Sequence, residues 1–85
     1  MCDDIERRVA DAVAEVLSIS KSQFTMTSRL VADLHMDDLD GVMLLIEVED
    51  EFGIEIPDAE AAECETPADF AQLVRRRQPH SVRAA

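Results

Sequence analysis

Apolar residues recur every three or four positions near the start of the chain, which is the spacing of one face of an α-helix. The residues that set this pattern are Ile5, Val9, Ala12, Val13, Val16 and Leu17. Asp3, Asp4 and Glu6 fall in the first turn, where the positive end of the helix dipole stabilises acidic side chains. The pattern predicts an amphipathic first helix from Asp3 to Leu17.

The segment from Ser18 to Leu34 is rich in Ser and Thr, and its apolar residues follow no helical period. Those apolar residues are Ile19, Phe24, Met26, Leu30, Val31 and Leu34. Connections in compact domains are usually shorter, and long ordered ones tend to be functional or to pack as a layer. We therefore expect a long ordered loop that these side chains hold against the core.

A second apolar stripe begins after Asp37 and Asp38. Its members are Leu39, Val42, Met43, Leu45, Ile46 and Phe52, with acidic residues beside them. A short carboxylate at such a place accepts hydrogen bonds from the free N–H groups of a helix start. The second helix is therefore expected to begin at Asp37 or Asp38 and to end at Gly53.

The C-terminal third predicts one short turn and a last helix. Residues 54–57 are expected to be extended, because they precede and include a proline, and residues 58–63 to form at most a short helical turn. Thr66, Pro67 and Asp69 together form a helix start signal: a cap, a proline at the first position and an acid at the third. A final helix is therefore expected from this point.

Length and the last proline define the expected domain. A chain of 85 residues has room for one folding unit. Pro79 should stop the last helix, so we expect a single domain over residues 1–78 and a disordered tail over residues 79–85.

Charge is the strongest feature of the composition. The chain has 19 acidic and 8 basic residues, a net charge of −11, and no Lys or Arg between Arg29 and Arg75. Nucleic acid is held mainly by Lys and Arg that neutralise phosphates, so the composition argues against DNA and RNA as ligands. The acidity suggests a partner with a basic surface, although a solvated acidic surface that maintains solubility would have the same composition.

The cysteines and the length of the apolar runs predict where in the cell the protein resides. Cys2 and Cys64 lack metal-ligand spacing, and no secretory signal precedes the charged residues at the N-terminus, so a reducing cytoplasm is expected. No stretch approaches the roughly 20 apolar residues of a membrane span. We expect a soluble monomer.

Three segments together carry a resemblance to a known family. They read Asp37-Asp38-Leu39-Asp40, then Glu49-Asp50-Glu51-Phe52, then Glu55-Ile56-Pro57-Asp58. The first resembles the Gly-x-Asp-Ser-Leu-Asp motif that opens the second helix of the acyl carrier proteins, and the other two resemble that family's Glu-Glu-Phe helix end and Glu-Ile-Pro-Asp loop. The resemblance spans about residues 4–75. It implies an all-α fold, an acyl-carrier-like bundle of three main helices plus one short helix, with a long loop between helices one and two.

One position departs from the family's motif. Where the family has the Ser whose hydroxyl takes the 4′-phosphopantetheine arm, this chain has Asp38. A carboxylate cannot form that phosphodiester, so the resemblance implies a chain without the family's cofactor, either a natural divergent homologue or a Ser-to-Asp variant. His35 stands in place of the motif's Gly.

Asp38 has several possible roles. The simplest expectation is that it caps the second helix, since Asp and Ser are near-equivalent caps. Its carboxylate could also stand where a phosphate would, and crowding with Asp37 and Asp40 could attract a divalent cation weakly. A calcium loop does not fit, because placing Gly41 at the sixth position puts Met36 at the first. No metal site is predicted.

The resemblance also implies a partner surface. The residues that match the surface used by the family against Lys and Arg of its enzymes are Asp37, Asp40, Glu47, Glu49, Asp50 and Glu51, and Met43 is a candidate contact beside them. They could equally be the solvated side of the second helix, with Met43 in the core. No nucleophile with a base and an orienting partner is evident, so no catalytic residue is predicted.

The resemblance implies one of two functions. The first is an acyl carrier protein-like protein of fatty-acid or related acyl metabolism that docks basic enzymes through the second helix. The alternative is a carrier-shaped regulatory or scaffolding module that has no acyl-carrying role.

Overall fold

The computed structural model describes residues 4–77, which form a helical bundle without strands in that range. Its helices are α1 (Asp4–Leu17), α2 (Asp38–Phe52), α3 (Asp58–Ala62) and α4 (Pro67–Arg77). A 3₁₀ helix of three residues, Lys21–Gln23, lies in the connection between α1 and α2. The all-α class, three main helices, one short helix and the long connection are all confirmed.

The core lies where α1 packs against both α2 and α4. Each of these three helices contributes its buried face, and the loops add a few side chains. The buried residues are Val9, Ala12 and Val13 of α1, Leu44 and Val48 of α2, Pro67, Phe70, Ala71, Leu73 and Val74 of α4, and Phe24, Leu30 and Ile56 from the connections. On α1 and α4 the apolar side chains recur every three or four positions, and this spacing determines which face of each helix turns inward.

The long connection is ordered, as predicted, and two of its side chains are buried. Phe24 and Leu30 belong to the core. Two backbone hydrogen bonds join the connection to the start of α4: Leu30 donates to the Glu65 carbonyl at 2.8 Å, and Ala68 donates to the Met26 carbonyl at 3.0 Å. The connection between α1 and α2 is therefore a packed layer of the fold. Its bonds to the start of α4 hold the segment that leads into α2 in place.

The apolar stripe that marks α2 in the sequence is not the buried face of the helix. Leu44 and Val48 are the buried residues of this helix, while Leu39, Val42, Met43 and Ile46 are exposed. Of the predicted members, Leu45 and Phe52 do pack partly against the core. The physical reason is that α2 carries two apolar faces, and hydrophobic spacing alone cannot say which of them meets the rest of the protein.

The ends of α2 and α4 follow ordinary capping chemistry. Gly53 has φ 65°, in the left-handed region, and its N–H donates to the Glu49 carbonyl at 2.8 Å, which ends α2 as predicted. At the start of α4, Asp69 accepts from the N–H of Glu65, and the Thr66 hydroxyl accepts from the N–H of Asp69. The predicted start signal is confirmed. Pro79 and the predicted tail lie outside the described residues, so the domain limits stay a prediction.

Candidate functional site

The N-terminus of α2 is capped by Asp37. This residue has an extended backbone, with φ −101° and ψ −176°, and its carboxylate accepts from the N–H of Asp40 at 2.8 Å. The expectation that Asp38 is the cap is therefore wrong. Asp38 is already the first helical residue, so its side chain cannot turn back to the free N–H groups as that of the extended residue does.

Asp38 points into solvent at the head of α2. Its side chain is exposed, and within residues 4–77 its carboxylate takes part in no hydrogen bond or ion pair. No structural contact of this range depends on its carboxylate. A side chain so placed is available to a molecule that approaches the start of the helix.

The turn before α2 holds a strained residue. His35 has φ 59°, a left-handed conformation that disfavours a side chain, and its N–H donates to the Val31 carbonyl at 3.0 Å. This is the position at which the resembling motif has Gly. The conformation of the turn is thus the one that a glycine would adopt without strain.

An apolar face of α2 is exposed to solvent. Leu39, Val42, Met43 and Ile46 are between 46% and 66% exposed, and we call these four residues the exposed stripe. Their spacing places them on one side of the helix. Val31, from the preceding turn, is 64% exposed as well. Five large apolar side chains exposed on one small domain are typical of a contact surface.

Apart from Asp37, which caps the helix, the predicted acidic partner residues divide into two groups. Asp50 is exposed, and Asp40 and Glu47 are half-buried on α2. Two others make contacts within the fold: Glu49 accepts from the N–H of Ile56 at 2.8 Å, and Glu51 is paired with Arg8.

Arg8 links the start of α1 to the end of α2. Its Nε donates to the Glu51 carboxylate at 2.8 Å, its second guanidinium nitrogen donates to the Glu51 carbonyl at 2.9 Å, and the guanidinium lies 4.5 Å from the centroid of the Phe52 ring. The hydrogen bond to Glu51 raises the pKa of Arg8, which stays charged. Glu51 therefore has a structural partner already, whereas Asp50 is exposed and its carboxylate makes no hydrogen bond or ion pair within residues 4–77.

The attachment chemistry of the resembling family requires a hydroxyl at the head of α2. The helix contains no Ser or Thr, and the group at that position is the carboxylate of Asp38. A cleft borders this helix start, and its described lining also contains no Ser or Thr. The residues present therefore do not fit a phosphopantetheine arm.

Cys64 is a free thiol in the wall of the same cleft. Burial raises its pKa to about 11, and its thiol donates to the Glu60 carbonyl at 3.7 Å. The thiol is thus protonated at neutral pH and packs in the cleft wall as a small apolar side chain.

The described residues include no cluster of three or more His, Cys, Asp or Glu side chains arranged to hold a metal ion. None of the helices within residues 4–77 has the length and apolar character that a membrane crossing requires.

Sequence reasoning missed the exposed stripe as a surface and the internal contacts of Glu49 and Glu51. The sequence did contain a signal for the exposed stripe. Leu39, Val42, Met43 and Ile46 repeat with helical spacing, and so do Gly41, Leu44, Leu45, Val48 and Phe52. A domain of 85 residues is too small to cover both faces of one helix, so two such repeats indicate that one of them remains exposed.

Comparisons with known proteins bear on this geometry. The family model described as "Phosphopantetheine attachment site" matches residues 7–74. Acyl carrier proteins of Rickettsia canadensis (strain McKiel) and Rickettsia rickettsii (strain Iowa) are each 45% identical to the chain over 76 residues, which cover 89% of this chain and 88% of theirs. The acyl carrier protein of Rickettsia typhi (strain ATCC VR-144 / Wilmington) is 42% identical over 76 residues, which cover 89% of this chain and 88% of that protein.

Proposed function

The chain belongs to the acyl carrier protein family, and from that membership we propose that it docks onto basic surfaces of acyl-metabolism enzymes through α2 while remaining unmodified itself. Members of this family are carriers and not enzymes, and we propose no catalytic activity for this chain. The observation that carries it is the exposed stripe on an acidic helix whose first residue is Asp38.

The unmodified state follows from the chemistry at position 38. Attachment of phosphopantetheine requires an alcohol oxygen that becomes part of a phosphodiester, and Asp38 supplies a carboxylate. The serines and threonines of the described residues lie outside α2, and several of those in the long connection bond to one another, such as Ser20 with Ser22 and Thr25 with Thr27. The cofactor of the family is therefore proposed to be absent from this chain.

The docking surface combines an apolar centre with a charged margin. The exposed stripe supplies the apolar area, and Asp38, Glu47 and Asp50 supply negative charge on the same helix. Protein interfaces commonly have an apolar core and a polar rim, and complementary charge speeds the encounter of two partners. With a net charge of −11, the chain favours basic partners.

The proposed surface also includes the predicted partner residues Asp37 and Asp40, together with Met43 of the exposed stripe. Glu49 and Glu51 stay in the proposal as margins of the surface, although each also has an internal contact. We infer a monomer that works in the cytoplasm, where reducing conditions would keep the thiol of Cys64 free.

A charge reversal on α2 tests the docking. The double variant Glu47→Lys/Asp50→Lys should bind a broad-specificity phosphopantetheinyl transferase at least about tenfold more weakly than the unaltered chain, because like charges across an interface are unfavourable. Dissociation constants from titration calorimetry or surface plasmon resonance, measured at several salt concentrations, give the comparison.

The control is Glu15→Lys/Glu63→Lys, which makes the same change in net charge at exposed residues outside α2. It should weaken binding by no more than about threefold, a long-range effect that salt screens. Equal losses for the two double variants would mean that net charge alone, and not the α2 surface, governs the encounter.

A further inference from the structure

The end of α2 has no basic residue of its own, and α1 supplies one. No Lys or Arg lies in the last turn of α2, although a positive charge there stabilises the carbonyl groups that a helix end leaves free. The guanidinium of Arg8 takes that place: it donates to the Glu51 carbonyl at 2.9 Å and to the Glu51 carboxylate at 2.8 Å, and it lies over the ring of Phe52. The carboxylate of Glu51 is thus held by a cation of the same protein.

This ion pair lies at the surface, where a partner can reach it. The side chains of Arg8 and Glu51 are 33% and 43% exposed, and the preceding residue of α2, Asp50, is exposed as well. Ion pairs between exposed side chains contribute little to stability, because water solvates both charges and holding two long side chains together costs entropy. A Lys or Arg of a partner can therefore take the place of Arg8 at small cost.

Arg8 has a second carboxylate within reach. Asp4 lies one turn earlier on α1, and its oxygen is 3.4 Å from a guanidinium nitrogen of Arg8, which is longer than a usual hydrogen bond. If Arg8 moves away from Glu51, the Asp4 carboxylate still offsets its charge. The geometry therefore allows two positions of Arg8, one on Glu51 and one on Asp4.

We propose that Arg8 and the basic side chains of a docking partner compete for the carboxylate of Glu51. In the free protein Arg8 occupies Glu51; in the complex a Lys or Arg of the partner occupies it, and Arg8 pairs with Asp4. Arg8 is thus a positioning residue that acts through Glu51, and it favours partners with a cation aligned with the end of α2 over partners that only carry net positive charge. The inference rests on the proposed docking function and deepens it.

Affinity for a broad-specificity phosphopantetheinyl transferase separates this competition from a change in net charge. Arg8→Gln should bind at least about threefold more tightly than the unaltered chain, because it frees one carboxylate for a contact with the partner. The control is Arg7→Gln, which removes the same charge at the neighbouring position, where Arg7 is paired with Asp4 and not with Glu51. Its affinity should rise by no more than about 1.5-fold, a long-range effect that salt screens.

A double-variant cycle assigns the effect to Glu51. In a Glu51→Gln background, Arg8→Gln should gain no more affinity than Arg7→Gln does, since no carboxylate is left to release. Arg8→Lys keeps the net charge, but its single ammonium cannot bridge the two oxygens of Glu51 as the guanidinium does. It should therefore also bind more tightly than the unaltered chain, though less tightly than Arg8→Gln. A purely structural role of Arg8 predicts no gain in affinity for either variant.

The Nε–H signal of Arg8 in ¹H–¹⁵N spectra reports the displacement itself. In the free chain this proton should exchange with water more slowly than the Nε–H proton of Arg7, because Arg7 contacts Asp4 through a terminal guanidinium nitrogen. Addition of the transferase should raise the exchange rate of the Arg8 proton to the rate seen in Glu51→Gln. The backbone amide signals of Val42 and Ile46 should shift in the same titration and report docking on α2.

The proposal is overturned if the Arg8 proton keeps its exchange rate while the amide signals of α2 shift, because docking would then leave the ion pair intact. It is also overturned if Arg8→Gln gains the same affinity with and without Glu51, which would assign the gain to net charge. If the transferase shifts neither the Arg8 signal nor the amide signals of α2, the docking function itself fails, and the competition fails with it.

Discussion

His35 and Asp38 lie three positions apart where the chain enters α2, and they affect different properties of the protein. His35 stores backbone strain in the turn, with φ 59°. Asp38 is the residue at which we propose that cofactor attachment is blocked, and it is exposed without an internal contact in residues 4–77. The first residue therefore bears on stability and the second on function.

Replacing His35 by Gly should stabilise the fold. Gly accepts the left-handed conformation without the clash that a Cβ causes, and this gain should exceed the larger entropy that Gly has in the unfolded chain. We expect the free energy of unfolding to rise by about 0.5 to 1 kcal/mol, or a melting temperature a few degrees higher.

The control for His35→Gly is Val31→Gly, in the same turn. Val31 does not have a positive φ, so Gly there relieves no strain; it adds the entropic loss and removes a partly covered side chain, and should lower the melting temperature. If His35→Gly also lowered the melting temperature, the strain assigned to this turn would be absent.

At the scale of the helix, α2 shows how far sequence reasoning reaches. The patterns placed the start, the end and the type of this helix correctly, because capping carboxylates and Gly53 act locally. They did not identify its buried face. Whether Leu44 or Met43 turns inward depends on how α1 presents its own apolar side chains, which is information that α2 does not contain.

The cap of α2 supplies a direct test. Asp37→Ala should lower the free energy of unfolding by about 1 kcal/mol, because the N–H of Asp40 loses its acceptor. Asp38→Ala should change it by less than about 0.5 kcal/mol, since an exposed first-turn carboxylate gains from the helix dipole but is repelled by its acidic neighbours. Urea unfolding of the two variants gives the comparison.

Asp37→Asn serves as the control, because Asn caps a helix about as well as Asp does. It should retain most of the stability that Asp37→Ala loses. A loss in Asp38→Ala as large as that in Asp37→Ala would contradict the assignment of Asp37 as the cap.

At the scale of the whole molecule, charge opposes the fold and a few basic residues offset it. Arg8 pairs with Glu51, Lys21 with Asp11 and Arg77 with Glu60, so cations of α1, the connection and α4 each meet a carboxylate from another element. Exposed pairs of this kind contribute little individually. Most carboxylates remain exposed, so repulsion among them should lower stability at low salt.

Salt should therefore stabilise the protein. Raising NaCl from about 20 mM to about 200 mM shortens the Debye length from about 20 Å to about 7 Å, which weakens repulsion between the exposed carboxylates. Calorimetry should show a melting temperature higher by several degrees. A fall with salt would mean that the ion pairs outweigh the repulsion.

Magnesium at matched ionic strength extends this test. The described residues offer no cluster for a metal, so magnesium should raise the melting temperature no more than NaCl does. A larger rise would point to a cation held by the carboxylates around Asp38.

The family and the fold class were predictable, because they depend on local motifs that the sequence spells out. The exposed stripe and the contacts of Glu49 and Glu51 were not, because they depend on packing between segments far apart in the chain. Arg8 and Glu51, for example, are 43 positions apart.

The most direct test of the account is the intact mass of two proteins after incubation with coenzyme A, magnesium and a broad-specificity phosphopantetheinyl transferase. The unaltered chain should keep its mass, and Asp38→Ser should gain one phosphopantetheine. A gain on the unaltered chain would contradict the proposed unmodified state. No gain on either protein would contradict the view that Asp38 alone prevents attachment, and would favour an interaction module that has lost carrier chemistry altogether.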